Sequence, residues 1–157
     1  MKKVGFTLLE LMIVVAIIAF LAMIAMPNLM SFLAKAKRAE AYMNLHSIYA
    51  AEKAYFAENG TYSSILSGEG GVCWKPEGYK GGGKKEKFHY TYGFPGGEGK
   101  NYFTGKLETP SSHLTQGKAD KTGFVAVATG YINGNSKPDI ITIDQDNTIT
   151  IVQDALG

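Results

Sequence analysis

The sequence has almost no means of covalent reinforcement. Cys73 is its one cysteine, so no disulfide can close within a single chain. It also lacks a charge excess. There are 16 basic and 14 acidic residues, and the two sets balance once Lys2 and Lys3 are set aside. A globally basic nucleic-acid binder is therefore not indicated. Catalytic signatures are missing too: the sequence has no P-loop, no H-E-x-x-H, no G-x-S-x-G and no cysteine pair for zinc. His46, His89 and His113 are scattered, with no partner at a metal-ligand spacing. An enzyme is not expected. The most telling absence is local. From Leu11 to Leu33, 23 residues, no charged side chain occurs, and about 20 apolar residues suffice for a helix to span a bilayer.

What surrounds that gap is specific. Lys2 and Lys3 precede it, which favours a cytoplasmic N-terminus by the positive-inside bias. A lone carboxylate, Glu10, stands at its start. An ionisable group at the centre of a membrane helix costs about 2.5–3.5 kcal/mol on insertion scales, so it calls for a partner. A cut between Gly5 and Phe6 would create one. The new α-amino group on Phe6 would lie four residues before Glu10, within reach in the same helix or across to a neighbour. A cleaved secretory signal is an alternative, since Ala34-Lys35-Ala36 resembles a cleavage site, and so is an ordinary single-span anchor. Neither accounts for Gly5, Phe6 and Glu10 together.

Lys-Lys-Val-Gly, Phe-Thr-Leu-Leu-Glu-Leu and Met-Ile-Val-Val-Ala-Ile-Ile, running from residue 2, closely resemble the N-terminus of type IV pilins and related pseudopilins. The resemblance implies that a prepilin peptidase cuts after Gly5 and methylates Phe6. It implies that Glu10 meets the N-terminus of a neighbouring subunit during filament assembly. Pro27 matches a position where the family's helix bends or locally melts, although Ala19 stands where a glycine often helps that melting. The motif match covers residues 1 to about 27. Many pilins also close a C-terminal disulfide, which this chain cannot do. Cys73 is expected to be a buried or inert thiol, with a crosslink between subunits as the alternative.

The rest of the chain fits the same architecture. Ala41, Leu45, Ile48, Ala51 and Tyr55 recur at helical spacing and predict an apolar stripe. Lys35, Lys37, Arg38, Glu40, Glu52, Lys53 and Glu58 are expected to form the polar side. Asn59-Gly60 reads as a helix stop. A helix from Phe6 to about Glu58 would be about 80 Å long. Pro27 has no amide hydrogen and should bend or open it near Met23. Residues 67–87 are glycine- and lysine-rich and read as a loop pinned by Trp74. Strands are expected at Phe88–Phe94, with His89 and Thr91 on its solvent side, at Tyr102–Leu107, and at Phe124–Ile132. Ile141, Ile143, Ile149 and Ile151 around Asp144-Gln145-Asp146-Asn147 predict a terminal hairpin.

The expected fold is α+β: a long N-terminal helix, transmembrane in its first half and packed in its second half against an antiparallel sheet head, the lollipop of the pilin family. The expected divisions are a leader at residues 1–5, a membrane and filament-core helix at 6–34, an amphipathic helix at 35–59 and a globular head at 60–157. The resemblance implies a structural subunit of a type IV pilus. The pseudopilin of a type II secretion system and a DNA-uptake minor pilin are the alternatives. A Trp-Gly-x-Pro-Tyr-like motif, usual in major pseudopilins, is replaced here by Trp74-Lys75-Pro76. Expected partners are further copies of the chain, the prepilin peptidase, the pilus assembly machinery and the membrane before assembly. The precursor would sit in the inner membrane and the assembled form on the cell surface. One segment suggests a cofactor: Asn133, Asn135 and Asp139 are similar to a calcium loop of some pilins and major pseudopilins. Lys137 intrudes there, and a Gly/Asn turn between two strands is the alternative.

Overall fold

The computed structural model describes residues 5–134 and 137–156. Lys2 and Lys3, with the rest of residues 1–4, and Asn135 lie outside the described residues. Contacts divide the chain into two units, Met1–Leu33 and Ala34–Gly157. The helix α1, Leu8–Asn59, supplies nearly all of the described first unit and opens the second.

In the first unit every described residue is exposed. Leu, Ile, Val, Met and Phe side chains turn outward all the way round, as in a helix meant for an apolar surrounding. This helix is long and apolar enough to cross a membrane. Pro27 lies in its interior, and the helix continues through it. The missing Pro27 amide still leaves the Met23 carbonyl without its usual partner.

In the second unit α1 turns one stripe inward. The buried positions are Ala34, Arg38, Ala41, Leu45, Ile48 and Glu52, at steps of three and four. The apolar stripe is thus as expected in Ala41, Leu45 and Ile48, while Ala51 and Tyr55 are half-buried at its margin. Two residues assigned to the polar side are not there: Arg38 and Glu52 lie in the buried stripe. Their places in the three-four rhythm put them inward, and each finds a hydrogen-bond partner from another segment.

The sheet is antiparallel, in the order β2-β1-β4-β5-β6. Its strands are β1 (Thr91–Gly93), β2 (Tyr102–Phe103), β3 (Lys118–Ala119, paired to β4), β4 (Phe124–Gly130), β5 (Asp139–Asp144) and β6 (Ile149–Gln153). Phe124, Ala126 and Ala128 of β4 and Ile141 and Ile143 of β5 join Leu45 and Ile48 in one core. The alternation expected of a half-buried strand fails in β1 and β4, because both faces are covered. The 3-10 turn Ser111–Leu114 packs on β4, and Val127 and Leu114 are fully buried. Thr91 is likewise buried, its hydroxyl donating to the Thr109 carbonyl at 2.7 Å, so it is not on a solvent face. Gly93 is required where β1 meets β2. Its φ is 131°, and a Cβ there would come within 2.2 Å of the Asn101 carbonyl oxygen.

The terminal hairpin forms as expected. Asp144 accepts the Asp146 and Thr148 amides at 3.0 and 2.9 Å, and Asn147 takes the left-handed conformation at φ 61°. Residues 67–87 contain no helix or strand, but they are held in place. Glu86, 3% exposed, accepts the Lys80 and Gly82 amides through one oxygen at 2.8 and 2.9 Å. Trp74 is buried and donates from its indole nitrogen to Ser47 of α1 at 2.7 Å. Cys73 is exposed rather than buried, on a backbone with φ 59°.

Candidate processing and assembly site

The start of α1 is built by its own sequence. Thr7 precedes the helix, and its hydroxyl accepts the Glu10 amide at 3.2 Å. Glu10 reaches back with one carboxylate oxygen, which accepts the Thr7 amide at 3.0 Å and the Thr7 hydroxyl at 2.9 Å. This is a reciprocal capping box, in which two otherwise unpaired helix-end donors are satisfied by side chains. The helix therefore begins at Leu8. Gly5 and Phe6, the two residues at the expected cut, lie outside it and are exposed, Phe6 at 76%.

Glu10 is thus not an isolated charge. Its charge points to a counter-ion on a liberated chain end, but its partner within the chain is Thr7. The signal was present, since Thr7-Leu8-Leu9-Glu10 is a Thr-x-x-Glu pattern before an apolar run. Thr7 engages one of the carboxylate oxygens. Gly5, Phe6 and Glu10 therefore fall at one helix end, whereas Pro27 lies well inside the same helix.

The residues expected to hold calcium are placed differently. Asp139 opens β5 and is fully buried. Its carboxylate takes the Arg38 guanidinium, the Tyr90 hydroxyl at 2.7 Å and the Ala155 amide at 3.0 Å. Asn133 is exposed, and its amide group donates to the Ala155 carbonyl at 3.5 Å. Among the described residues no three His, Cys, Asp or Glu side chains gather where a metal ion could be held.

His89 and His46 each meet a residue distant in sequence. His89 is half-buried, not on a solvent face, and its Nδ1 is 2.6 Å from Glu40, which also accepts the His89 amide at 2.8 Å. His46 is exposed on α1 and meets the Asn147 side chain at 3.0 Å, tying the helix to the hairpin tip. Glu52 is fully buried. One carboxylate oxygen accepts the Ser63 amide at 3.1 Å and the other has no partner. Burial pushes its pKa up to about 7, against the smaller opposing effect of the Ser63 amide.

An apolar helix with a capped carboxylate at its start, followed by an antiparallel sheet, defines a pilin-like α+β architecture. Comparison with known proteins agrees. Residues 2–26 match the prokaryotic N-terminal methylation motif. Over 63 residues the chain is 52% identical to the type IV major pilin protein PilA of Myxococcus xanthus, a match covering 40% of this chain and 29% of that protein. Over 75 residues it is 39% identical to the type II secretion system core protein G of Pectobacterium carotovorum subsp. carotovorum, covering 48% of each chain. The corresponding protein of Vibrio cholerae is 35% identical over 75 residues, 48% of this chain and 51% of its own length. The chain is therefore homologous, over these stretches, to a type IV major pilin and to secretion-system pseudopilins. The matches span between 29% and 51% of those relatives' own lengths.

Proposed function

We propose that this chain is the repeating structural subunit of a type IV pilus. It would be made as an inner-membrane precursor with the sheet-bearing unit outside the cytoplasm. A prepilin peptidase would cut between Gly5 and Phe6 and methylate the Phe6 amine. The pilus assembly machinery would then move the apolar helix from lipid into a bundle of identical helices, leaving the filament on the cell surface. The role is mechanical rather than enzymatic.

The observation that carries this reading is the segment of α1 from Leu8 to Leu33, in which every residue is exposed and Glu10 is the one charge. Such a surface needs lipid in the precursor and other helices once it leaves lipid. Helices gain little hydrophobic energy by meeting inside a membrane, so packing and polar pairing must direct the transfer. Glu10 supplies that polar pairing. Thr7 satisfies one of its oxygens, and the Phe6 ammonium of a neighbouring subunit would neutralise the charge. A carboxylate left unpaired in a dry bundle is strongly disfavoured, which fixes the axial register of each subunit. Pro27 would let the helix yield locally as it enters the bundle.

The test is Glu10→Ala in the full-length chain. Cleavage after Gly5 should persist, read by mass spectrometry, while the yield of sheared fibres collapses. Normal fibre yield would remove Glu10 from the mechanism. A secretion pseudopilin is the second reading, favoured by the 39% identity to a core protein G. In that case shearing would release no long surface fibres composed mainly of this chain.

A further inference from the structure

Two asparagines stand before a glycine, Asn59 and Asn133. Such a pair holds an electrophile and a nucleophile side by side. The glycine backbone nitrogen, once it loses its proton to hydroxide, can attack the asparagine Cγ. A nitrogen–carbon bond forms there, the side-chain carbon–nitrogen bond breaks, and ammonia leaves. Water then opens the resulting succinimide at one carbonyl or the other, giving isoaspartate or aspartate. Glycine favours the ring closure because it has no Cβ in the way and the freest backbone. By sequence the two sites are equivalent, but the fold treats them differently.

Asn59 is the last residue of α1. Its side-chain nitrogen donates to the Tyr55 carbonyl at 3.0 Å, and the Gly60 amide donates to the Phe56 carbonyl at 2.8 Å. The leaving group and the nucleophile are thus both held by the final turn of the helix, where carbonyls would otherwise lack partners. For the Gly60 nitrogen to reach Cγ, that turn would have to open.

Asn133 is placed the other way. It lies in the connection between β4 and β5, outside helix and strand, and both it and Gly134 are exposed. Its side-chain nitrogen is 3.5 Å from the Ala155 carbonyl, beyond the usual range of about 2.7–3.2 Å. Gly134 takes φ 66°, and among the described residues nothing beyond its chain neighbours comes within 4 Å of where a Cβ would stand. Conversion would turn the Asn133 donor into an acceptor facing the Ala155 carbonyl, while the Ala155 amide stays on Asp139 at 3.0 Å. The connection would lose that tie and gain a negative charge.

We propose that Asn133 is a site of spontaneous modification, converting to isoaspartate and aspartate in the folded protein while the helix end preserves Asn59. The inference stands apart from the filament reading, because it concerns only the second unit.

The experiment is incubation of the purified full-length chain in detergent at pH 8 for several days, followed by peptide mass spectrometry. Folded protein should exchange amide for acid at residue 133, as isoaspartate and aspartate, on the order of tenfold faster than at residue 59. In guanidinium chloride, where the helix end is gone, the two sites should convert at similar rates. Gly134→Ala should slow conversion at residue 133 on the order of tenfold. Folded protein that keeps the amide at residue 133, or that loses it as fast at residue 59, would overturn the proposal. A difference that persists in guanidinium chloride would also overturn it, by removing the helix end as the cause. So would a Gly134→Ala rate equal to wild type, or a rate at residue 133 that does not rise from pH 7 to pH 8, since the attack needs a deprotonated Gly134 nitrogen.

Discussion

The two units handle charge in opposite ways. Up to Leu33 there is one described charge, Glu10, exposed at a helix end and bonded only to a residue three positions away. From Ala34 onward Arg38, Glu52, Glu86 and Asp139 go inside. Arg38 and Asp139 are 101 residues apart in sequence and bury each other, and Glu52 is enclosed with one oxygen left over. The first arrangement satisfies the carboxylate within a single turn and asks nothing of the tertiary fold. The second requires the fold to exist before the charges can meet. One helix therefore contains both a segment whose cover must come from outside the chain and a segment whose cover is the chain itself.

Glu10→Ala should have the largest effect, loss of assembly, and should leave the melting midpoint of the second unit unchanged. A lowered midpoint would erase the division between the units. Substitutions on one helix sharpen the contrast. Leu45→Ala, in the core, should cost about 2–5 kcal/mol in denaturant unfolding of the full chain in detergent. Ile17→Ala, exposed in the first unit, should stay within about 0.5 kcal/mol on that measurement. Equal losses would contradict the burial pattern.

Glu52 gives a pH test of the buried style. Its folded pKa lies near 7 against an ordinary 4.5, so the folded state prefers the protonated acid. The associated stability is fully present below about pH 4.5 and is lost as pH rises through 7. Full ionisation should cost on the order of 3 kcal/mol. Glu52→Gln should flatten this slope and raise stability at pH 8, read from melts across that window. A slope unchanged by the substitution would assign it to other groups. Thr7→Val removes the side-chain cap and should cost about 1 kcal/mol at the helix start, seen as faster amide exchange at Glu10 with no change in the core. Lys84→Ala, which breaks a surface pair with Glu108 at 3.8 Å, should leave the melt unchanged.

Much of this was legible in the residues. The helix expected from Phe6 to Glu58 runs Leu8–Asn59, and the hairpin around Asp144–Asn147 forms where the isoleucines placed it. What escaped reading was burial that depends on distant partners. Arg38 and Glu52 keep helical step with Ala41, Leu45 and Ile48, but their charge argued for the surface until Asp139 and Ser63 were seen to meet them. Thr91 looked solvent-facing because nothing nearby in sequence announces that the Thr109 segment covers it. The two-residue strands β2 and β3 carry too few residues to show any period. At the candidate site, Gly5, Phe6 and Glu10 were marked by spacing. Thr7 was equally visible as a capping partner, but a carboxylate's charge points first to a cation, and Thr7 carries none.

Trp74 gives the contrast between the units its own optical readout. It is the only indole in the chain, and it is enclosed against Ser47, Tyr92 and Phe103. Ultraviolet emission excited at the indole band therefore reports on residues after Ala34 and is blind to the apolar segment. A red shift marks loss of that enclosure whatever surrounds the first helical turns, so one fluorimeter trace separates collapse of the sheet-bearing unit from a change in lipid, detergent or fibre around the other.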